Sequence, residues 1–530
     1  MPTIEVSHQD LCRLVGKSIP INKLKEEGIL FAKGEIDEAK GDLLKIDIKD
    51  TNRPDLWSTE GIAREIKGRY VSGGLPRYKT KKSGIVVKVD KGLKGIRPFT
   101  VCAVVKNLKI YDHSLSQLIQ LQEKVSVTFG RNRKEVAIGV YDLNRIKPPI
   151  RFTTVKPDGI KFIPLEFRKA LTPRQILKEH PKGREFGYLL EALPEYPMFI
   201  DSAEEVLSIP PIINSEYTGK VTKETKDVFI ECSGFNLKFL IPALNVMVAA
   251  LSDRGGDIER VRVVYPGRVL ETPELEPKAF ELNLEYLNTV SGLDLSIERA
   301  CRLLNQARYE AKPSGKRIKL LYPAYRQDIM HQRDVVEDVL ISYGYNKIEA
   351  VIPKLATVGS QNPIEALSST VSDIMAGLGL QEVLSYILTN KKNLFEKMNL
   401  REGGSVEIEN IVSANWSVFR TWLLPSLLEF LSRNKHVEYP QGIFEIGDVV
   451  NLDNREETKT KDTRKMAVAL TDNVVGYEDI SSVLDSLLRS LGTEYKLNRI
   501  EHPSFIRGRV AGIFVRGRKI GFVGEINPLV

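Results

Sequence analysis

The sequence predicts an α+β protein of several domains, and three observations support that prediction. The chain has 530 residues, which is too long for one hydrophobic core, so three or four domains are expected. Segments that alternate apolar and polar residues with the period of a strand are interspersed with segments of helical period. Hydrophobic residues make up 42% of the chain and charged residues 28%, a balance typical of globular proteins.

The first domain is predicted at residues 1–84 and combines strands with helices. Its segments PTIEV and LLKIDIK alternate apolar and polar residues as half-buried strands do. Ser58 or Thr59 can cap the helix that follows the turn TNRPD. Residues 71–84 are rich in Gly, Lys and Ser and are predicted to be a linker, with the basic run 77–82 facing solvent or, alternatively, RNA phosphates.

The second domain is predicted at residues 85–270 as a mixture of strands and helices. Strands are expected in segments such as FTVCAVVKNL, KFIPL and DVFIECSGF, and helices in segments such as TPRQILKEH and IPALNVMVAALSDRG. The Pro- and Glu-rich segment ETPELEPK marks its end. About 180 residues of this kind form a domain of typical size.

Two further domains are predicted at residues 271–353 and 354–530. In the first of them, Ser296 is expected to cap a helix, followed by the strand and turn LLYPAYRQDI and an acidic helix. The last domain begins with Asn-Pro-Ile-Glu at 362–365, which has the pattern of a helix start with a capping box. Strands are expected after it in SVEIENIV, GIFEIGDVV, KMAVAL and RVAGIFVRG.

Composition and motifs exclude several classes of protein. Lys and Arg (77) exceed Asp and Glu (69) by 8, which permits a nucleic-acid partner without requiring one. The four cysteines are scattered along the chain, so neither a zinc site nor a disulfide framework is expected. This cysteine usage predicts a protein of the reducing cytosol. The sequence contains no signal peptide, no apolar run long enough for a membrane span, and no common nucleotide-binding or hydrolase motif.

Four carboxylates lie within eleven residues in the segment RQDIMHQRDVVEDV, which begins at Arg326. They belong to Asp328, Asp334, Glu337 and Asp338, and the last three share one face of a helix. One interpretation is a solvated acidic helix start, with Asp328 or Asp334 as its cap. The other is a magnesium site, because Mg²⁺ prefers hard oxygen ligands.

Five motifs follow one another along the chain in a characteristic order. They are NRPDLWSTEGIARE, IRPFTVCAVVKNL, YRQDIMHQRDVVEDVLISYGYNKI, FRTWLLPSLLEFLSRNKHVEYPQGIFEIGDVV and HPSFIRGRVAGIFVRGRKIGFVGEINP. Together they resemble the phenylalanyl-tRNA synthetase beta subunit. The short first domain leads directly to the second without an inserted OB-fold, which is similar to the archaeal and eukaryotic form. Members of that family usually continue beyond GEINP, so a truncation after Val530 is expected.

The resemblance implies a fold and an assembly. The domains would be an N-terminal α/β domain, a mixed α/β editing domain, a small winged-helix-like domain and a C-terminal class II synthetase catalytic-like domain with an antiparallel sheet. The chain would join an alpha subunit in an alpha-2 beta-2 heterotetramer that charges tRNA(Phe) in the cytoplasm. ATP would be bound mainly by the alpha subunit. No catalytic residue for aminoacylation is therefore assigned in this chain. No membrane or DNA partner is expected.

The resemblance also implies a role for the acidic segment. Asp328, Asp334, Glu337 and Asp338 match positions assigned in the family to a magnesium ion near the alpha-subunit interface. The last of these acids is often Glu in the family, so Asp338 shortens the reach by one methylene.

A further implication is that residues 85–270 hydrolyse mischarged Tyr-tRNA(Phe). Tyr is Phe with one added hydroxyl, which a hydrophobic pocket rejects by only about a hundredfold. In PPIINSEYTGKVTKETKDVFIECSGF, Glu231 would accept the tyrosyl hydroxyl proton, and Asn214 with Ser215 would meet the ester. Water is the expected attacking group because no Ser–His or Cys–His pair is visible. Alternatively, Glu231 is a surface strand residue and Asn214-Ser215 caps a turn.

Other charged residues have structural explanations that we favour. Arg53 and Asp55 are expected to form an ion pair in a tight turn, although contact with a partner subunit or tRNA is the alternative. Arg420 and Glu445 are expected to form an ion pair beneath a sheet, rather than the relic of a nucleotide site. His502 is expected to be a structural residue at a strand edge.

Two other functions are compatible with the sequence. One is a non-catalytic RNA-binding or regulatory protein built on a degenerate synthetase fold. The other is a stand-alone trans-editing hydrolase. The segment RTWLLPSLL in the C-terminal domain favours the beta-subunit interpretation, because a trans-editing hydrolase would not need that domain.

Overall fold

The computed structural model describes residues 2–530. The chain forms two compact units, the first ending at Val351 and the second beginning at Ile352. The boundaries predicted after residues 84 and 270 lie within the first unit, so that subdivision stays a prediction. Among the described residues, no helix has the length and apolar character that crossing a membrane requires.

The first unit begins with a three-stranded antiparallel sheet in the order β1-β3-β2. Ser58, and not Thr59, caps α3 by accepting a hydrogen bond from the amide of Gly61 (3.1 Å). The alternating apolar residues of β3 are buried against α1 and α3, as the sequence pattern predicts. The elements of this part are β1 (Thr3–Ser7), α1 (His8–Val15), α2 (Ile21–Lys23), β2 (Gly34–Lys40), β3 (Leu43–Ile48) and α3 (Thr59–Tyr70).

A ten-stranded mixed sheet forms the centre of the first unit. Its strand order is β10-β9-β8-β7-β4-β12-β5-β11-β6, and β13 pairs with β12. Its elements are β4 (Thr80–Val89), β5 (Phe99–Lys106), α4 (Asp112–Lys124), β6 (Val136–Asp142), β7 (Ile150–Val155), α5 (Pro173–Glu179), α6 (Pro181–Phe186), β8 (Tyr196–Ile200), β9 (Val206–Ile209), β10 (Ile213–Asn214), β11 (Val228–Gly234), α7 (Leu237–Asp253), β12 (Asp257–Tyr265) and β13 (Arg268–Thr272).

The sheet curls until its two ends meet. The Asn214 side-chain amide on β10 donates to the carbonyl of Val140 on β6 (3.3 Å), and the amide of Asp142 donates to the carbonyl of Thr218 (2.9 Å). The convex face of β5, β6 and β11 packs on α7 in one apolar core. The concave face encloses a second core, to which the aromatic ring of Phe229 contributes.

Three predicted elements differ from the observed ones. The predicted linker 71–84 already contains the start of β4 at Thr80. Thr80 pairs in parallel with Ile258 on β12, which lies 178 residues further along, so no local pattern reveals the pairing. The segment KFIPL is not a strand, since only isolated bridges at Phe162 and Pro164 occur there. Helix α7 begins at Leu237, before its predicted start, because the Asn236 side chain caps it.

The last part of the first unit has three helices and a three-stranded antiparallel sheet in the order β14-β16-β15. Ser296 caps α9 as predicted, by accepting a hydrogen bond from the amide of Arg299 (3.3 Å). The acidic segment forms the turn before α10 and its first turns. The elements are β14 (Lys278–Asn283), α8 (Leu284–Ser291), α9 (Ile297–Gln306), β15 (Glu310–Ser314), β16 (Arg317–Tyr322) and α10 (Gln332–Tyr343).

The second unit contains three helices and three small sheets among its described residues. The long strands β20 and β21 pair antiparallel as expected, but β17 joins β20 in parallel. The predicted strand SVEIENIV is reduced to one bridge at Glu407. The elements are α11 (Pro363–Gly377), β17 (Gln381–Glu382), β18 (Leu388–Thr389), β19 (Val418–Phe419), α12 (Leu424–Arg433), β20 (Gln441–Leu452), β21 (Thr460–Thr471), α13 (Tyr477–Ser490), β22 (Lys496–Arg499), β23 (Phe505–Val515) and β24 (Arg518–Ile526).

Candidate functional site

Glu231 lies in the middle of β11, a strand with a neighbour on each side. It pairs with Cys102 on β5 and with Gly139 on β6. Because side chains alternate along a strand, Glu231 shares the concave face with Phe229, and it is only 2% exposed. The expectation that Glu231 lies on a surface strand is therefore wrong.

The Glu231 carboxyl has few polar partners in this interior. Its Oε1 lies 3.3 Å from the hydroxyl of Tyr141, which lies 2.7 Å from the Ser208 hydroxyl, so the single phenol hydrogen is shared between these two neighbours. Its Oε2 is buried without a hydrogen-bond partner among the described residues. Burial raises the pKa of Glu231 to about 8, although the Arg97 guanidinium and hydrogen bonding with the Ser233 and Tyr141 side chains act in the opposite direction. At neutral pH the carboxyl is therefore protonated and can both donate and accept a hydrogen bond.

The position opposite Glu231 must be a glycine. A Cβ at Gly139 would lie 2.2 Å from the Tyr141 hydroxyl oxygen, so any other residue would displace that hydroxyl from Glu231. Sequence reasoning missed Gly139, Tyr141 and Ser208. The segment VAIGVYD did hold a signal, because the period of a strand places Gly139 and Tyr141 on one face.

Asn214 and Ser215 follow the short edge strand β10. The Asn214 side chain donates to β6, as described above. The Ser215 hydroxyl lies 2.8 Å from the Thr218 hydroxyl and accepts a hydrogen bond from the amide of Thr218 (3.1 Å). Both side chains therefore close the turn and the sheet, which confirms their predicted structural role. Asn214 also pairs with Ser208, so two side chains, Ser208 and Tyr141, connect it to Glu231 without direct contact.

A groove of about 820 Å³ opens beside Ser215 on the same domain. Tyr217, Lys220 and Arg145 line it together with the segment Ile160–Ile163, and Arg145 lies over the Tyr217 ring at 5.5 Å. Ser215 contributes to its wall, whereas Glu231 does not. The structure therefore places Ser215 at an open groove and Glu231 in an enclosed interior next to it.

The acidic segment forms ion pairs with basic residues. The Arg326 guanidinium donates to both oxygens of Asp328 (2.7 and 2.5 Å) and to Asp338 (2.8 Å). The Tyr309 hydroxyl also donates to Asp338 (2.6 Å). Burial alone would raise the pKa of Asp338, but Arg326, Arg53 and then Lys33 lower it well below its ordinary value.

Asp334 and Glu337 have different partners. The Asp334 carboxylate accepts the amides of Met330 (2.8 Å) and His331 (2.6 Å), and so forms the capping box of α10. The Glu337 carboxylate pairs with Lys33 at 3.1 Å and is 49% exposed. The predicted capping role of Asp334 is confirmed, but the expectation of a solvated acidic helix start is wrong, because Asp328 and Asp338 are buried.

These four side chains are not arranged as one ligand set in the described structure. Within residues 2–530, no group of three or more His, Cys, Asp or Glu side chains is arranged to hold a metal ion. A guanidinium occupies the space between Asp328 and Asp338, and Asp334 is turned toward backbone amides. In the described structure the four acids share a helix start but neutralise different positive groups, and the four-carboxylate magnesium site stays a prediction.

We expect removal of magnesium to leave the stability of the chain unchanged. Melting temperatures in excess EDTA and in millimolar Mg²⁺ should agree within about 1 °C, because Arg326 and not a metal ion neutralises the buried acids. Differential scanning calorimetry measures this directly. Stabilisation by Mg²⁺ that disappears in Asp334→Asn/Glu337→Gln would contradict it.

The acids belong to a buried charge network that includes the first domain. It consists of four positive side chains, Lys33, Arg53, Arg69 and Arg326, and four carboxylates, Asp55, Glu65, Asp328 and Asp338, each at most 9% exposed. Arg53 donates to both oxygens of Asp55 (2.9 and 2.8 Å), which confirms the predicted ion pair in the turn. Equal numbers of opposite charges make this burial tolerable.

The second unit confirms two structural predictions. Arg420 donates to Glu445 at 2.6 Å in a buried pair, and a Cβ at Gly447 would lie 2.3 Å from the Arg420 guanidinium. His502 packs against the rings of Phe505 and Phe522, and burial lowers its pKa. Neither residue faces a catalytic partner in the described part of this unit.

Three family models match the chain in the order of its parts. The B3/4 domain matches residues 99–243, the tRNA synthetase B5 domain matches 280–345, and the phenylalanyl tRNA synthetase beta chain CLM domain matches 348–530. Together with the mixed sheet, the small helical domain and the absence of a nucleotide motif, these matches define the class: a multidomain subunit of an aminoacyl-tRNA synthetase.

Relatives extend over the whole chain. The phenylalanine–tRNA ligase beta subunit of Pyrococcus abyssi is 50% identical over 535 residues, covering 100% of this chain and 96% of the relative. That of Korarchaeum cryptofilum is 40% identical over 538 residues, covering 100% and 95%. An N-terminal fragment of the phenylalanyl-tRNA synthetase beta subunit from Pyrococcus horikoshii matches 65% of this chain and 100% of the fragment, with 50% identity and a TM-score of 0.63. The chain belongs to the phenylalanine–tRNA ligase beta subunit family.

Proposed function

We propose that the chain acts with an alpha subunit in an alpha-2 beta-2 heterotetramer that charges tRNA(Phe) in the cytoplasm. The observation that carries this proposal is the 50% identity to a ligase beta subunit over the entire chain. ATP would be bound mainly by the alpha subunit, and the reaction would require Mg²⁺. The residues of the second unit agree with this division, since Arg420 is neutralised by Glu445 and is not free for a nucleotide.

A regulatory RNA-binding protein and a stand-alone editing hydrolase are not favoured. Neither function would require the beta chain CLM domain that matches residues 348–530. The full-length relatives carry the name of the ligase subunit instead.

The second part of the proposal is that the curled sheet hydrolyses mischarged Tyr-tRNA(Phe). The Glu231 Oε2 atom is buried without a partner, so a substrate phenol would supply the missing hydrogen bond and a phenylalanyl ring would not. Such positive recognition of a hydroxyl supports far more discrimination than exclusion by an apolar pocket. The Tyr141 hydroxyl already makes a phenol-to-Glu231 hydrogen bond of the kind assigned to the substrate.

Asn214 and Ser215 would position the ester in this proposal. Ser215 borders the open groove, and Asn214 pairs with Ser208 near the Tyr141 hydroxyl. Their side chains are engaged in the turn, so their backbone would meet the ester. Water would attack the ester carbonyl, and entry of a phenol would require Tyr141 or Ser208 to move.

The division of labour is tested by adenylate formation. The isolated chain is expected to show no Phe-dependent ATP–pyrophosphate exchange, because it lacks a usable set of class II motifs. Adding the cognate alpha subunit should restore exchange and Phe-tRNA synthesis, and the two chains should co-purify. Exchange by the isolated chain would overturn the assignment.

A further inference from the structure

A short loop before β6 holds three consecutive non-glycine residues in the left-handed region of backbone conformation. They are Arg131 (φ 50°), Asn132 (φ 53°) and Arg133 (φ 65°), in the sequence GRNRKE. Asn adopts this region readily, whereas a run of three with two arginines is rare. Such strain persists only where the surrounding structure imposes it, and it concentrates at functional sites.

Every backbone amide of the loop is hydrogen-bonded. All six amides from 130 to 135 donate locally, for example Asn132 to the carbonyl of Val127 and Arg133 to the carbonyl of Ser126, both at 2.8 Å. The loop therefore has one conformation before any ligand arrives, and no amide is left to bind an anion. Only its side chains can recognise a partner.

Two arginines, the half-buried Arg133 and the buried Arg97, fix this conformation to the sheet. Arg133 donates to the carbonyl of Ile212 (2.9 Å) and to Glu123 (2.8 Å), and its guanidinium lies over the Phe186 ring at 4.3 Å. Arg97 donates to the carbonyls of Arg133 and Lys134, each at 3.2 Å. The strain is thus maintained by contacts from distant parts of the domain.

The exposed side chains of the loop are polar and basic, whereas its one acid, Glu135, is half-buried and acts on the charge of Arg97. Arg131, Asn132 and Lys134 are exposed. No Asp or Glu pairs with Arg131 or Lys134 among the described residues. A guanidinium and an ammonium on a rigid backbone suit successive phosphates, since little ordering entropy is lost on binding.

The loop lies at the end of the strand that carries Glu231. A Cβ at Gly234 would lie 1.9 Å from the carbonyl of Glu135, so the loop packs directly on the end of β11. Gly234 follows Glu231 by three residues, which corresponds to roughly 10 Å along a strand. An RNA whose end approaches Glu231 would therefore pass near Arg131 and Lys134.

We propose that the loop 130–135 is a preformed phosphate clamp in which Arg131 and Lys134 bind the RNA backbone of the tRNA. The proposal rests on the proposed function for the identity of the RNA. The clamp goes beyond the proposed function because it assigns RNA binding to residues that make no contact with the Glu231 carboxyl. An ordinary solvated charge run would not need three strained residues to hold it.

The test compares two double variants with the same change in charge. Arg131→Gln/Lys134→Gln in the complex with the alpha subunit is expected to weaken tRNA binding about tenfold in fluorescence anisotropy. The slope of log K against log salt should fall in magnitude by about 1.5, since two phosphate contacts are lost. The control is Arg168→Gln/Lys169→Gln, two exposed residues of the same domain, which should bind within about twofold of wild type.

Deacylation of Tyr-tRNA separates this proposal from the editing proposal. The loop variant should raise KM about tenfold and leave kcat within about twofold. If wild type binds tRNA but does not deacylate, and the loop variant still loses affinity, the editing proposal fails and the clamp stands. Wild-type affinity in the loop variant, an equal loss in the control, or no tRNA binding by wild type would each overturn the clamp.

Discussion

Replacing Arg326 by Met is expected to lower the free energy of unfolding of the first unit by about 3–5 kcal/mol. Arg326 is 2% exposed and donates to Asp328 and Asp338, both of which are also buried. The substitution would leave two carboxylates in the interior without their main counter-charge, which costs more than the lost hydrogen bonds alone. Urea unfolding followed by circular dichroism measures the change.

Two further variants make this result specific. Arg317→Met removes an arginine that is 64% exposed and pairs with Glu281, and it should cost less than about 1 kcal/mol. Combining Arg326→Met with Asp328→Asn and Asp338→Asn should recover part of the lost stability, because the uncompensated charges are gone. Equal effects of Arg326→Met and Arg317→Met would contradict the charge network.

Replacing Glu231 by Ala is expected to slow hydrolysis of preformed Tyr-tRNA by the assembled enzyme about 10- to 100-fold, the effect of losing one buried hydrogen bond to the substrate. Glu231→Gln should retain more activity, because the amide has the shape of the carboxyl and, like the protonated group, is neutral. Glu179→Ala, at the exposed end of α5, is the matched control. Rates equal to wild type in Glu231→Ala would remove Glu231 from the site.

The raised pKa of Glu231 gives the same variants a second readout. The folded pKa of about 8 lies above the ordinary value of 4.5, so the folded chain holds a proton that the unfolded chain releases between these values. The contribution of Glu231 to stability is therefore present below about pH 4.5 and is lost as the pH rises toward 8. Wild type should lose more stability than Glu231→Gln over this range.

Local signals in the sequence predicted the local parts of the fold. The caps at Ser58 and Ser296 and the alternation in β3 and β11 depend on neighbouring residues, and the structure has them. The strand at Thr80 was assigned to a linker because its partner β12 lies far along the chain. Its composition is polar because it begins at the solvent-exposed end of the sheet.

The acidic segment shows why the spacing of acids in the sequence does not predict which groups their side chains contact. A helical face brought three carboxylates together, but the counter-charges of the segment include Arg53, 275 residues before Asp328, and Lys33, 304 residues before Glu337. One signal was present: Arg-x-Asp occurs twice, at Arg53 and at Arg326, and each arginine binds both oxygens of the aspartate two residues later. That repeated pattern indicates the two bidentate ion pairs.

Glu231 was found by its place in a motif, yet its environment could not be predicted. Its burial depends on the curling of the sheet, which brings Ser208 on β9 to the Tyr141 hydroxyl on β6. These strands are at opposite ends of the strand order, so no periodicity connects them. The raised pKa follows from this enclosure and not from any neighbour in sequence.

Side-by-side hydrolysis of preformed Tyr-tRNA(Phe) and Phe-tRNA(Phe) by the assembled wild-type enzyme tests the account most directly. The buried, unpaired oxygen of Glu231 predicts that the tyrosyl ester is hydrolysed at least about a hundredfold faster than the phenylalanyl ester. Equal rates for the two esters, or no hydrolysis of the tyrosyl ester, would contradict the assignment of the curled sheet as the editing site.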